Sequence, residues 1–253
     1  MTVQDLIAAL ELPGSCRVDQ RVPKKMLVEN GAPTASDKRQ INDGIEEIQW
    51  LAALKPNTIG VPEYRDEVRE YLEIAILSVT LRGNAKAVRL TELLHRAVPY
   101  PMVLLLNSEQ DLMLSLAHKR WAQNEAGKVV LDGGVVEVVL PSNSPSSALD
   151  LAFMQAMALG RQPQATLHAL YQGWGDSVQA LLAARLTGNF KGADTPQQAT
   201  KRRDALIRCA ELDAQIASLR LAASKEKQIA RQVTINLEIK ALNSERLQAA
   251  ANL

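Results

Sequence analysis

Glycine and proline are missing from the last 57 residues, Gln197 to Leu253; the nearest breakers upstream are Gly192 and Pro196. That absence removes the usual means of stopping a helix. The segment is rich in Ala, Leu, Gln, Lys, Arg and Glu, so summed propensity predicts helix throughout. Aromatic residues are scarce at 4% of the chain, which leaves the core to Leu, Val, Ile, Ala and Met. The two cysteines, Cys16 and Cys209, are far apart and without a paired motif. This argues against a disulfide framework and reads as two reduced apolar side chains of a cytoplasmic protein. Charge of one sign is also missing. A net charge of +1 is too small to draw nucleic acid by bulk electrostatics. No uncharged apolar run, Pro99–Asn107 included, is long enough to span a membrane. The opening MTVQDLIAALELPGSC has no basic lead and carries Asp5 and Glu11, so it reads as a short amphipathic helix rather than a secretory leader.

Catalytic signals are scarce too. The three histidines, His95, His118 and His168, form no i,i+3 or i,i+4 pair, and neither cysteine stands near one in sequence. No metal site and no cofactor are therefore expected. His95, late in a helix, is read as a cation placed favourably at the dipole's end. Phosphate-loop and nucleophile-elbow patterns are absent, and Gly133-Gly134 opens a hairpin rather than a helix.

What remains is an α+β pattern: a mixed α/β N-terminal domain with a central sheet, then an all-helical C-terminal part ending in a long helix or helical hairpin. Its expected divisions are a mixed domain over 1–140, a helical subdomain and linker over 141–196, and a coiled-coil-like arm over 197–253. Helix is expected over 2–10. An extended piece follows over Arg17–Lys25, with Val18 and Val22 buried. Pro33 to about Asp43 is a helix entered through Thr34 and Ser36 and stopped at Gly44. Ile45–Leu54 is a strand, Lys55-Pro56-Asn57 a turn and Thr58–Pro62 a second short strand. Tyr71–Leu81 alternates as the clearest strand and ends at Gly83-Asn84. Ala85–Ala97 is amphipathic, with Val88, Leu90, Leu93, Leu94 and Ala97 apolar. Met102–Leu106 and Leu112–Lys119 are paired strands. Lys128–Leu131 and Val135–Leu140 are expected to form a hairpin about Asp132-Gly133-Gly134. After the loop PSNSPSS, Ser146 or Ser147 caps a helix over Ala148–Leu159, and Gln162–Leu186 is helical with an interruption at Gly173-Trp174-Gly175.

As one rod the final segment would reach about 85 Å. Ala205, Cys209, Leu212, Ile216, Leu219 and Ala223 follow a 4-3-4-3-4 seam. The next slots hold Glu226, Ala230, Val233, Leu237 and Lys240, and a second stripe, Ile235, Ile239 and Leu242, starts out of phase. Two readings stay open: a hairpin folded near Ala223–Lys227 with Ser224 as a cap, or one rod with a phase shift. The candidate partner interface is Leu212, Ile216, Leu219, Val233, Leu237, Ile239 and Leu242. Lys201-Arg202-Arg203 and Lys24-Lys25 are candidate nucleic-acid contacts, although a solvated charged face explains them first and no aromatic is interleaved to stack bases.

The order helix, strand, strand, helix, strand over 34–106 is similar to nuclease folds that hold a metal on strand carboxylates. Glu73 is the acidic residue available there, with Asp66 and Glu67 before it, but Ala75 stands where a lysine is wanted. A more extensive likeness runs through LPGSCRVDQRVPKKML, INDGIEEIQWLAALKPNTIGVP, YLEIAILSVTLR, LLHRAVPYPMVLLL and KEKQIARQVTINLEIKALNSE. These stretches, in this order, resemble an uncharacterised bacterial family, domain of unknown function 4391. The resemblance implies a setting beside helicases and DNA methyltransferases in restriction-modification-like or other anti-phage gene clusters, and it assigns no catalytic residue. The expectation is a non-enzymatic accessory subunit docking on a helicase or methyltransferase, with DNA reached through that partner and no membrane. The alternatives are a divergent metal-dependent nuclease and a self-associating coiled-coil protein.

Overall fold

The computed structural model describes residues 1–253 apart from 84, 124, 126 and 143–145, and apart from the side chain of residue 30. Asn84 of the expected strand stop and the middle of the PSNSPSS loop thus lie outside the described residues. The helices are α1 (Val3–Ala9), α2 (Lys24–Gly31), α3 (Ala35–Gly44), α4 (Pro56–Ile59), α5 (Ala87–Ala97), α6 (Ala148–Ala156), α7 (Leu167–Thr187), α8 (Pro196–Lys225) and α9 (Ile229–Ala250). The strands are β1 (Arg17–Arg21), β2 (Ile45–Leu54), β3 (Tyr64–Arg65), β4 (Glu70–Tyr71), β5 (Ile74–Leu81), β6 (Met102–Asn107), β7 (Asp111–Leu116), β8 (Lys119–Trp121), β9 (Val129–Leu131) and β10 (Val136–Pro141). The fold is α+β, in two compact units, Met1–Val178 and Gln179–Leu253.

In the first unit six strands form one sheet in the order β1-β2-β5-β6-β7-β10. β5 and β6 run parallel and every other neighbouring pair is antiparallel. A parallel pair requires a crossover, and α5 supplies it. Ala75, Leu77, Val79 and Leu81 of β5, with Leu104 and Leu106 of β6, pack against Leu90, Leu93 and Leu94 of α5. The alternate residues Ile74, Ile76, Val103 and Leu105 are buried as well, so both faces of the central strands are covered. Tyr171 ties α7 to the sheet: its hydroxyl donates to the Met102 carbonyl at 2.7 Å and accepts from the Ala117 N–H at 2.9 Å.

Gly31 sits where α2 meets α5. A Cβ there would collide with Ala97 Cβ and lie 2.9 Å from the Leu93 carbonyl oxygen. Gly31→Ala is expected to cost about 1–3 kcal/mol by overpacking, read as a lower urea midpoint at unchanged slope. An unchanged midpoint would mean that α2 shifts without penalty.

Several expectations need correction. The extended piece expected over Arg17–Lys25 ends sooner: β1 stops at Arg21, and Lys24 and Lys25 open the helix Lys24–Gly31, with Pro23 at its cap position in extended conformation. Pro56 starts α4 at its first turn, so Thr58–Pro62 is no strand. Val88 is 68% exposed and is not part of the α5 core face. The hairpin over 128–140 does not form: β9 pairs with β8, whereas β10 pairs with β7. α7 runs unbroken through Gly173-Trp174-Gly175. Ser147 is the cap of α6, accepting from the Asp150 N–H at 3.1 Å.

In the second unit the breaker-free segment is a hairpin. Arg208 meets Glu245 at 2.9 Å, Arg246 meets Asp213 at 2.5 Å, and Gln232 donates to the Ala223 carbonyl at 3.3 Å. As one residue number rises the other falls, the signature of antiparallel helices. The turn needs neither glycine nor proline. Glu226 leaves α8 in extended conformation, and its side chain accepts from the Gln228 N–H at 2.8 Å. Ser224 is not the cap; its hydroxyl donates back to the Leu221 carbonyl.

Candidate functional site

The hairpin sorts the two apolar stripes. In α8, Ala205, Cys209, Leu212, Ile216 and Ala223 are buried, and Leu219 is half-buried. Cys209 Sγ lies 4.0 Å from the Arg246 carbonyl oxygen, which places this stripe along α9. In α9, Ile235, Ile239 and Leu242 are half-buried. At about 100° per residue they share an arc of about 60°. Ile229, Val233, Leu237 and Leu247 fall within about 80° on the other side of the helix, and they are 78%, 52%, 63% and 69% exposed. Of the interface candidates, then, Leu212 and Ile216 are enclosed and Leu219, Ile239 and Leu242 partly so. Val233 and Leu237 stand in solvent.

The basic candidates separate in the same way. Lys24 Nζ donates to the carbonyls of Asn42 and Ile45, and partial burial lowers its pKa. Lys25 pairs with Glu29 at 3.7 Å. Arg202 is buried and donates to the Gly192 carbonyl at 3.3 Å, and Arg203 is half-buried. Lys201 is exposed. Lys25 and Lys201 are thus the exposed members of the two groups.

The structure gathers side chains that sequence spacing kept apart. His118 and His168 lie with ring centres 5.2 Å apart. Tyr64 tilts over His168 at 4.8 Å, and Tyr171 meets His118 edge-on at 5.2 Å. The Tyr71 hydroxyl and His118 Nδ1 share a hydrogen bond of 2.5 Å. Burial raises the Tyr71 pKa, so the phenol stays protonated. Burial also lowers that of His168. Around the rings, Tyr64 donates to Asp66 at 2.7 Å, and Arg69 bonds Asp132 at 2.6 Å. Tyr64, Asp66, Arg69, Asp132, Tyr71 and His118 are hydrogen-bonded within the network, and the ring contacts of His168 fasten β3 and β4 to the start of α7. Periodicity could not have found it, because the pairing of short strands brings the rings together.

The third histidine is used differently from expectation. His95 is buried and neutral, held at a pKa of about 3 by burial and then by the charge of Lys119. Its Nε2 lies 3.1 Å from Ser115 Oγ. The cation at the end of α5 is Lys119 instead, whose Nζ donates to the carbonyls of His95 and Val98. Burial lowers the Lys119 pKa to about 7, while the helix-end carbonyls favour its charged form.

The carboxylates considered for metal-dependent cleavage are engaged elsewhere. Glu73 bridges Lys55 at 3.0 Å. Asp66 accepts from the backbone N–H groups of Val68 and Arg69 as well as from Tyr64. Among the described residues no three His, Cys, Asp or Glu side chains stand where they could hold a metal ion, and no helix is long and apolar enough to cross a membrane.

The sequence model of a family described as a domain of unknown function, DUF4391, matches residues 10–245. Neither the curated proteins nor the solved structures compared with the chain match it.

Proposed function

The chain belongs to the DUF4391 family, and from that premise we propose that it acts as a non-catalytic accessory subunit, docking on another protein through the outer face of its C-terminal hairpin. The observation that carries this reading is the exposed stripe Ile229, Val233, Leu237 and Leu247 on a helix with no fully buried residue. Isolated apolar side chains on a surface are ordinary; four aligned on one helix face mark a docking surface. Full burial of each stabilises a contact by about 1.5–3 kcal/mol, so covering the stripe is on the scale of an interface hot spot. The partner we propose is a helicase or DNA methyltransferase of an anti-phage or restriction-modification-like system in the cytoplasm. DNA is then reached through that partner, in keeping with the small net charge.

The test is co-expression with the helicase or methyltransferase encoded beside the gene, comparing the full chain with Val233→Glu/Leu237→Glu. Both positions are exposed, so the melting temperature should hold. Binding is expected to fall at least a hundredfold, because two desolvated charges replace two apolar contacts. A complex of undiminished affinity would remove this face from the reading. A dimeric mass of the isolated chain that the double variant makes monomeric would assign the stripe to self-association instead.

A further inference from the structure

Most lysines and arginines of the first unit stand in ion pairs with carboxylates. Lys24 and Lys119 instead donate to pairs of backbone carbonyls. Arg39, Arg82 and Lys86 depart from that pattern. All three are exposed, and among the described residues none of them stands in an ion pair. The one protein contact they make is a long one, from Arg82 Nη1 to the Asp43 carbonyl at 3.4 Å. The three line one cleft of about 540 Å³ between α3 and the loop from β5 to α5. Asp43 is the single acidic residue in that lining, and its carboxylate forms no ion pair with them among the described residues. The cleft is therefore positive on balance, with its cations unspent.

Stability does not explain this placement. Lys86 occupies the cap position of α5, where Ser, Thr, Asp or Asn is preferred. It makes no side-chain cap bond, and the first turn that follows carries no acidic residue. The positive end of a helix disfavours cations, and like charges gathered around one cleft repel one another. A bound anion relieves both effects. The remaining lining narrows the kind of anion. No described lining residue is aromatic, and none is a large apolar side chain, so neither a base nor an acyl chain finds a wall to rest on. Recognition falls to the charged group itself. Two guanidinium forks and one ammonium suit a tetrahedral oxyanion with several acceptor oxygens. We propose that this cleft binds a phosphate group through Arg39, Arg82 and Lys86. Two sources carry that chemistry: a free diphosphate or triphosphate, and the backbone of a nucleic acid. The cleft belongs to the first unit and is independent of the hairpin face.

Two titrations of the full chain test this: calorimetry with pyrophosphate, and fluorescence anisotropy with a labelled DNA duplex of arbitrary sequence. Saturable binding in at least one arm is expected, weakening as salt is added. Pyrophosphate binding without duplex binding supports the proposal with a free phosphate compound as the source. Duplex binding that pyrophosphate displaces supports it with the nucleic-acid backbone as the source. Arg39→Ala and Arg82→Ala should each weaken the bound probe about tenfold, the scale of one hydrogen bond to a charged group. Lys86→Asp should abolish binding and raise the melting temperature, because an acidic cap suits the start of α5. That opposite response separates a ligand contact from a structural role, in which losing Lys86 would lower the melting temperature. Absence of binding in both arms would overturn the proposal, as would affinity unchanged in all three variants or a Lys86→Asp chain that melts lower.

Discussion

Acidification from pH 6.5 to pH 4 is expected to remove about 3 kcal/mol from the stability of the first unit through His95 alone. The folded state holds this imidazole at a pKa of about 3, against an ordinary value of 6.5. Between those limits the unfolded chain takes up a proton that the folded chain refuses. The contribution is therefore complete above pH 6.5 and is lost as the pH falls below it, at about 1.4 kcal/mol per pH unit. His168, also lowered by burial, adds to the loss in the same direction. Asp37 and Asp66, held low by hydrogen bonds, respond only as the pH drops through the carboxylate range. Lys119 acts in a separate window, between about 7 and 10.5. There too the lowered pKa of a base means that stability rises with pH. Urea unfolding at a series of pH values checks the sign and the slope. His95→Gln should flatten the part between pH 6.5 and 4 and leave the His168 contribution; an unchanged slope would contradict the assignment.

Trp174→Ala is expected to cost about 3–5 kcal/mol, the range for emptying a large buried aromatic site. Trp174 is fully buried, and its indole N–H donates to the Met157 carbonyl at 2.8 Å. The substitution opens a cavity and leaves that carbonyl without its donor. The flanking Gly173 is closely packed as well: Pro163 Cδ and Gln162 Oε1 lie 2.6 and 2.7 Å from where a Cβ would be. Denaturant midpoints measure the effect; a loss below about 1.5 kcal/mol would mean that the site collapses around alanine.

The same residue shows where local reading stops. Gly173-Trp174-Gly175 reads as an interruption, since two glycines weaken a helix. Burial of the indole and the close approach of Pro163 override that penalty, and neither is visible in sequence. Ile45–Leu54 was legible as a strand between its true ends, although register shifts and the buried run Ala52-Ala53-Leu54 interrupt its alternation. The hairpin expected about Asp132-Gly133-Gly134 was wrong: β9 and β10 pair with β8 and β7, because pairing is decided by residues far along the chain. The two stripes of the C-terminal segment could be counted, and their phase break left a hairpin and a phase-shifted rod open; the structure has the hairpin, with the turn at Glu226. Which stripe faces inward depends on where Glu226 leaves the helix. The tyrosine–histidine cluster had no local signal.

The central claim is that the outer face of α9 is a docking surface. Hydrogen–deuterium exchange of the chain, alone and with the proposed helicase or methyltransferase partner added, tests it most directly. Protection gained on binding should concentrate in peptides covering Ile229 to Leu247. Protection confined to the first unit, with α9 exchanging as it does in the free chain, would contradict the account.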